Sequence, residues 1–110
     1  MPTVYYDVSI SDEEQLIQLL QQPLTYARKS VFKRTIAQSP ITTIDLTSLT
    51  GGVAALWIKT DVPLNVTING AATPLPVTAV LFVTISSLVT LVLAAVGATA
   101  ANVEVVLWGG

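Results

Sequence analysis

The sequence contains no cysteine and no histidine. Without cysteine there is no disulfide framework and no thiolate for metal binding or nucleophilic attack. Without histidine the usual general base, the commonest metal ligand and the side chain that titrates near neutral pH are all missing. Charge is scarce too: Asp, Glu, Lys and Arg make up 11% of 110 residues, against roughly a quarter in soluble domains. Five basic and seven acidic residues leave a net charge of −2, the wrong sign for a nucleic-acid binder. The N-terminal MPTVYYDVSISDEE is acidic and polar where a secretory signal would be basic and then apolar, so no export signal is expected.

What the chain has instead is apolar surface, 52% of its residues. A chain of this length forms one small domain, and small domains expose a large share of their residues. The excess apolar side chains therefore need cover from lipid, from other copies of the chain or from a partner. The longest uncharged run, Val62 to Val103, spans 42 residues. It is either a membrane anchor or the buried half of an all-β domain.

Before that run the chain reads as an arm, residues 1–40. Thr3 to Ile10 is rich in β-branched and aromatic residues, which suits a short strand or an extended segment. Ser11 and Glu14 have the spacing of a capping box, and Asp12, Glu13 and Glu14 complement a helix N-terminus. Leu16, Ile17, Leu19 and Leu20 supply an apolar stripe before Pro23. The spacing predicts one short α-helix over about 11–21. Residues 24–40 hold Arg28, Lys29, Lys33 and Arg34 around Phe32, with a period that fits neither helix nor strand firmly. Four charges and one aromatic fall short of a nucleic-acid patch; they suit a solvated connector or an arm touching an acidic protein surface.

From Ile41 the period becomes two. Ile44 and Leu46 alternate with Asp45 and Thr47; Leu56 and Ile58 with Trp57 and Lys59; Leu64, Val66 and Ile68 with Asn65, Thr67 and Asn69. Gly51-Gly52 and Asn69-Gly70 are turns, the second the stronger signal. Pro74 and Pro76 mark an edge strand or loop. TAVLFVTI, a Ser86-Ser87 break, LVTLVLAA and NVEVVLWGG complete the pattern. About seven strands at regular spacing predict a mainly β fold over 41–110, an antiparallel, jelly-roll-like β-sandwich.

A single transmembrane helix near 77–95 is the competing reading. Ten of the twenty residues from Val77 to Val96 are Val, Ile or Thr, which favours strands. The basic cluster ends at Arg34, too far upstream to orient a span. No membrane association is therefore expected. No catalytic, cofactor-binding or metal-binding residues are expected either: Asp45, Lys59, Asp61 and Glu104 have no spacing that pairs two carboxylates, and no Gly-rich phosphate loop exists. Trp57, Trp108 and Tyr26 suit either a sugar-stacking platform or, for the two tryptophans, a subunit contact.

The run ITTIDLTSLTGGVAALWIKTDVPLNVTINGAATPLPV, followed by strands ending in VEVVLWGG, resembles small virion structural proteins of tailed bacteriophages, in particular the capsid decoration, or cement, proteins. The resemblance covers roughly Ile41 to Gly110 and rests on the strand pattern. It implies a non-enzymatic, cofactor-free subunit, a homo-oligomer (dimer or trimer) that binds the major capsid protein on the capsid surface and stabilises the shell. Such a protein is found in the virion, and in the host cytoplasm during assembly. Within that expectation the arm residues Leu16, Leu20, Arg28, Lys29, Phe32, Lys33 and Arg34 form the capsid or subunit contact, and Trp57 and Trp108 a contact between subunits. A neck, tail or fibre subunit and a carbohydrate-binding module are the alternative readings.

Overall fold

The alternating segments become strands, and so does most of the N-terminal region. The computed structural model describes residues 2–11, 13–85 and 88–110. Among them are ten strands: β1 (Thr3–Ser11), β2 (Leu16–Thr25), β3 (Arg28–Ile36), β4 (Thr42–Thr43), β5 (Val53–Thr60), β6 (Leu64–Ile68), β7 (Leu75–Val77), β8 (Val80–Thr84), β9 (Leu91–Ala95) and β10 (Ala101–Gly109). All pairings are antiparallel. β1 and β2 form a two-stranded hairpin; the rest make two four-stranded sheets, ordered β3-β10-β5-β8 and β4-β9-β6-β7.

The two larger sheets share one hydrophobic cluster. Leu56 and Ile58 of β5 and Val103, Val105 and Leu107 of β10 meet Leu64 and Val66 of β6 and Leu91 and Leu93 of β9. Leu56, Ile58, Leu64 and Val66 are positions that the period of two assigns to the inside. Full burial of a Leu or Ile side chain contributes about 1.5–3 kcal/mol. Asn69 and Gly70 take positive φ, 54° and 67°, and Ala71 donates to the Ile68 carbonyl across the turn. β7, which holds Pro76, is an edge strand.

The helix expected over 11–21 does not form: among the described residues there is no helix, and Leu16–Thr25 is a strand. Register pairs Ser11 with Leu16 and Thr3 with Thr25, so the expected capping-box residues instead connect two strands. Asp12, part of that expectation, lies outside the described residues, as does the Ser86-Ser87 break. The physical reason is competition. An isolated helix of three turns is marginal in water, whereas the β-branched and aromatic β1 offers a full ladder of backbone partners. Pro23 sits opposite Tyr5 in a strand with one unpaired side, where proline is tolerated.

β3 is the second departure. It lies inside the segment expected as an arm, yet it pairs along its whole length with β10 and buries Ile36. Among the described residues, 41–110 hold seven strands, β4 to β10, the number expected there, and three more, β1 to β3, precede residue 40. Two further contacts fasten the hairpin base: Tyr26 N–H donates to the Pro2 carbonyl (3.0 Å) and Ala27 N–H to that of Gly109 (2.8 Å). Gly51 N–H in turn donates to the Gly110 carbonyl at 2.7 Å, so the two glycine pairs lie against each other.

Candidate interaction surface

The face of the β3-β10-β5-β8 sheet turned away from the core carries the aromatics. Strand parity puts Trp57 of β5 there with Lys59, and register sets Phe82 of β8 beside Trp57 and Trp108 of β10 beside Ala55. Phe82 and Trp108 meet edge to face, with centroids 6.4 Å apart at 76°. Tyr6 of the hairpin lies on Phe82, with centroids 5.0 Å apart and a 54° tilt. Such pairs contribute about 0.5–1.5 kcal/mol beyond the area they bury. A cleft of about 410 Å³ runs between the hairpin stem and this face, lined by Tyr6, Asp7, Trp57, Phe82 and Trp108 among others.

Beyond Tyr6 the hairpin carries apolar side chains that face solvent. Ile10, Leu16 and Leu20 are 55%, 59% and 52% exposed, and Val8 and Leu19 are also exposed. Val8 and Leu19 are cross-strand partners and share a face with Ile10; Leu16, opposite Ser11, lies on the other face. One face of the outer hairpin is therefore apolar, the other sets Leu16 beside Ser9, Ser11 and Gln18, and an isolated two-stranded hairpin is barely stable in water. A bulge shapes it: Leu20 and Gln21 oppose Asp7, Gln21 has φ 50°, and its N–H donates to Asp7 Oδ1 at 2.6 Å. Bulges add local twist and bend the strand.

The expected arm contacts fall on two different elements. Leu16 and Leu20 stand on the hairpin, while Arg28, Lys29, Phe32, Lys33 and Arg34 stand on β3, an edge strand. Phe32 packs partly against the core, and the Arg34 guanidinium lies 5.6 Å from its ring centre. Arg28 Nη1 donates to the Ser48 carbonyl at 3.1 Å. Lys33 Nζ is 3.9 Å from a Glu104 carboxylate oxygen, with both side chains well exposed, an ion pair of small energetic weight. Charge on an edge strand is a common guard against unwanted strand pairing. Trp57 and Trp108 do share a face, and Phe82 and Tyr6 complete it. Those last two were missed because β8 parity depends on its pairing with β5, and Tyr6 lay in a segment read only as strand or arm.

Asp45 and Asp61 are occupied as hydrogen-bond acceptors. The Thr47 hydroxyl (2.6 Å) and Thr47 N–H (2.9 Å) hold the Asp45 carboxyl below its ordinary 3.8. Asn102 N–H (2.7 Å) does the same for Asp61, assisted by the Asn102 side-chain amide at 3.0 Å. Both arrangements close loops, tying Asp45 to the residue two ahead and Asp61 to the start of β10. Among the described residues there is no group of three or more acidic side chains placed to hold a metal ion. No helix of the described residues is long and apolar enough to cross a membrane; the segment 77–95 holds β8 and β9. Comparison with protein-family models, with curated proteins and with solved structures gives no match to this chain.

Proposed function

We propose that this chain is a non-enzymatic structural subunit that acts as an assembly of copies. Its body would be a jelly-roll-like antiparallel β-sandwich built from the two four-stranded sheets, with the β1-β2 hairpin as the assembling arm. The observation that carries the reading is the outer hairpin, where Ile10, Leu16 and Leu20 are each more than half exposed. Leaving that much apolar surface in water on so slight an element is unfavourable, and a neighbouring protein covers it at no cost in fold. The resemblance of residues 41–110 to phage capsid decoration proteins extends the proposal to a protein that binds the major capsid protein from outside and reinforces the shell.

Light scattering of the purified chain tests the assembly. A dimer or larger species at about 50 μM, within the range of ordinary specific association, is the expected result. A monomer at that concentration overturns the reading. The capsid part is tested separately, by co-sedimentation with purified phage heads lacking their decoration protein; failure to pellet with them overturns that part alone. The Trp57-Phe82-Trp108 face is partly roofed by Tyr6, which favours a protein contact over a flat sugar platform.

A further inference from the structure

The chain separates its charges into two blocks. The hairpin segment, residues 3–25, holds Asp7, Asp12, Glu13 and Glu14, four of the seven acidic residues, and no lysine or arginine. β3 follows after Tyr26-Ala27 and holds Arg28, Lys29, Lys33 and Arg34, four of the five basic residues, and no acid. Within one molecule the hairpin is stacked through Tyr6 on Phe82 of β8, and β8 and β3 are the opposite edges of their sheet. We propose, resting on the assembly reading above, that the acidic hairpin of one copy docks along the basic edge strand β3 of a second copy.

Three features of the two surfaces fit each other. Their charges are opposite, which steers encounter and sets register. Each has an apolar centre: Val31 is 53% exposed between Lys29 and Lys33, and one hairpin face presents Ile10 with Val8 and Leu19, close in sequence to Glu13 and Glu14. Each also has an unpaired backbone edge. Among the described residues β3 pairs only with β10, and β1 and β2 only with one another, so strand addition between copies would satisfy both edges. Reach is sufficient, because the five residues beyond Tyr6, Asp7 to Ser11, extend about 17 Å past the aromatic anchor. Since the giving and receiving patches differ, the copies either exchange hairpins as a two-fold, isologous pair or pass them head to tail around a heterologous ring.

Two variants of the full chain test it. Glu13→Lys with Glu14→Lys removes the negative balance of the hairpin, and Lys29→Glu with Lys33→Glu removes the positive balance of β3. Circular dichroism checks that each retains its β signature. By sedimentation velocity, each variant alone is expected to self-associate at least tenfold more weakly than the natural chain. An equimolar mixture restores one natural junction, the acidic hairpin of the β3 variant on the basic β3 of the hairpin variant, and gives a one-to-one heterodimer. Association of the natural chain weakens as salt rises from about 0.05 to 1 M, because the screening length falls to about 3 Å. If both variants assemble like the natural chain, or the mixture associates no better than its components, the hairpin-to-β3 contact is refuted while the assembly reading stands. If the natural chain is itself a monomer at low salt, both fail.

Discussion

Removing the Tyr6 and Phe82 rings, singly and together, isolates the contact that fixes the hairpin on the body. Tyr6 is half-buried and its ring lies 5.0 Å from that of Phe82. Truncating a fully buried aromatic costs about 3–5 kcal/mol, so a half-buried one should cost roughly half of that, about 1.5–2.5 kcal/mol. The part due to this pair alone is the coupling energy of the cycle, about 0.5–1.5 kcal/mol. Tyr5, one residue away, also borders the cleft but is 67% exposed, and the ring on Phe82 is that of Tyr6, so Tyr5 is the control: Tyr5→Ala should change stability by less than about 0.5 kcal/mol. Guanidinium unfolding followed by tryptophan fluorescence is the assay, since Trp57 and Trp108 line the cleft beside Tyr6. It is run on dilute protein, so that association does not add to the apparent stability. A coupling energy indistinguishable from zero, or an effect of Tyr5→Ala equal to that of Tyr6→Ala, would refute the docking of the hairpin on this face.

Leu56→Ala, at a fully buried position shared by the core of both sheets, should cost about 2–5 kcal/mol in unfolding free energy, whereas Leu20→Ala on the hairpin should leave unfolding within about 0.5 kcal/mol of natural and weaken self-association; equal effects of the two on unfolding would contradict the exposure of Leu20. Asn69→Ala removes an acceptor of the Val89 and Thr90 N–H groups and puts a β-carbon-bearing residue without a local hydrogen bond at φ 54°, so a loss of about 1–3 kcal/mol is expected by chemical denaturation. Asp61 is held below its ordinary 3.8 in the folded chain, so its stabilisation is complete above the unfolded value and is lost as pH falls through the lower folded one. The gap in thermal midpoint between natural protein and Asp61→Ala should thus be constant from about pH 7 to 5 and close only in stronger acid; a gap that narrows near neutral pH would count against this account.

The strands from Val53 onward were legible because each element carries its own signal. Leu56/Ile58 and Leu64/Val66 alternate with polar or amphipathic neighbours, and Gly52 and Asn69-Gly70 mark turns that take positive φ. The first strand of the hairpin was legible in the β-branched and aromatic residues 3–10, but the second was not, because its local signals pointed elsewhere. Leu, Gln and Glu at residues 13–22 are good helix formers, and Ser11 with Glu14 imitates a helix start; only pairing with the preceding segment turns Leu16–Thr25 into a strand. β3 was hidden differently. Its alternate positions are Lys29, Val31 and Lys33 on one side and Ser30, Phe32 and Arg34 on the other, so neither side reads as a core face. Its place is set by β10, far along the chain, through the Val106–Val31 and Ala101–Ile36 registers. Propensity is local and sheet pairing is not, and the interaction surface was built from the non-local part. The four basic residues of β3 are visible in the sequence as a cluster, whereas their placement on a strand at a sheet edge depends on the pairing with β10.

The uncharged run from Val62 to Val103 takes on a different meaning beside those two blocks. It supplies β6, β7, β8 and β9 and the start of β10, and its outward positions are small or neutral, as at Asn65, Thr67 and Ala94. A monomer kept soluble by charge would intersperse both signs over its surface. Here the sheet β4-β9-β6-β7 contains no ionisable side chain in any of its strands, while acids collect on the hairpin and bases on β3. The neutral sheet therefore cannot steer a partner by charge, and the charged elements can do so only with each other or with an equally polarised surface. Of the surfaces of a second copy, the one that meets an acidic, apolar-centred hairpin with opposite charge is the one around β3.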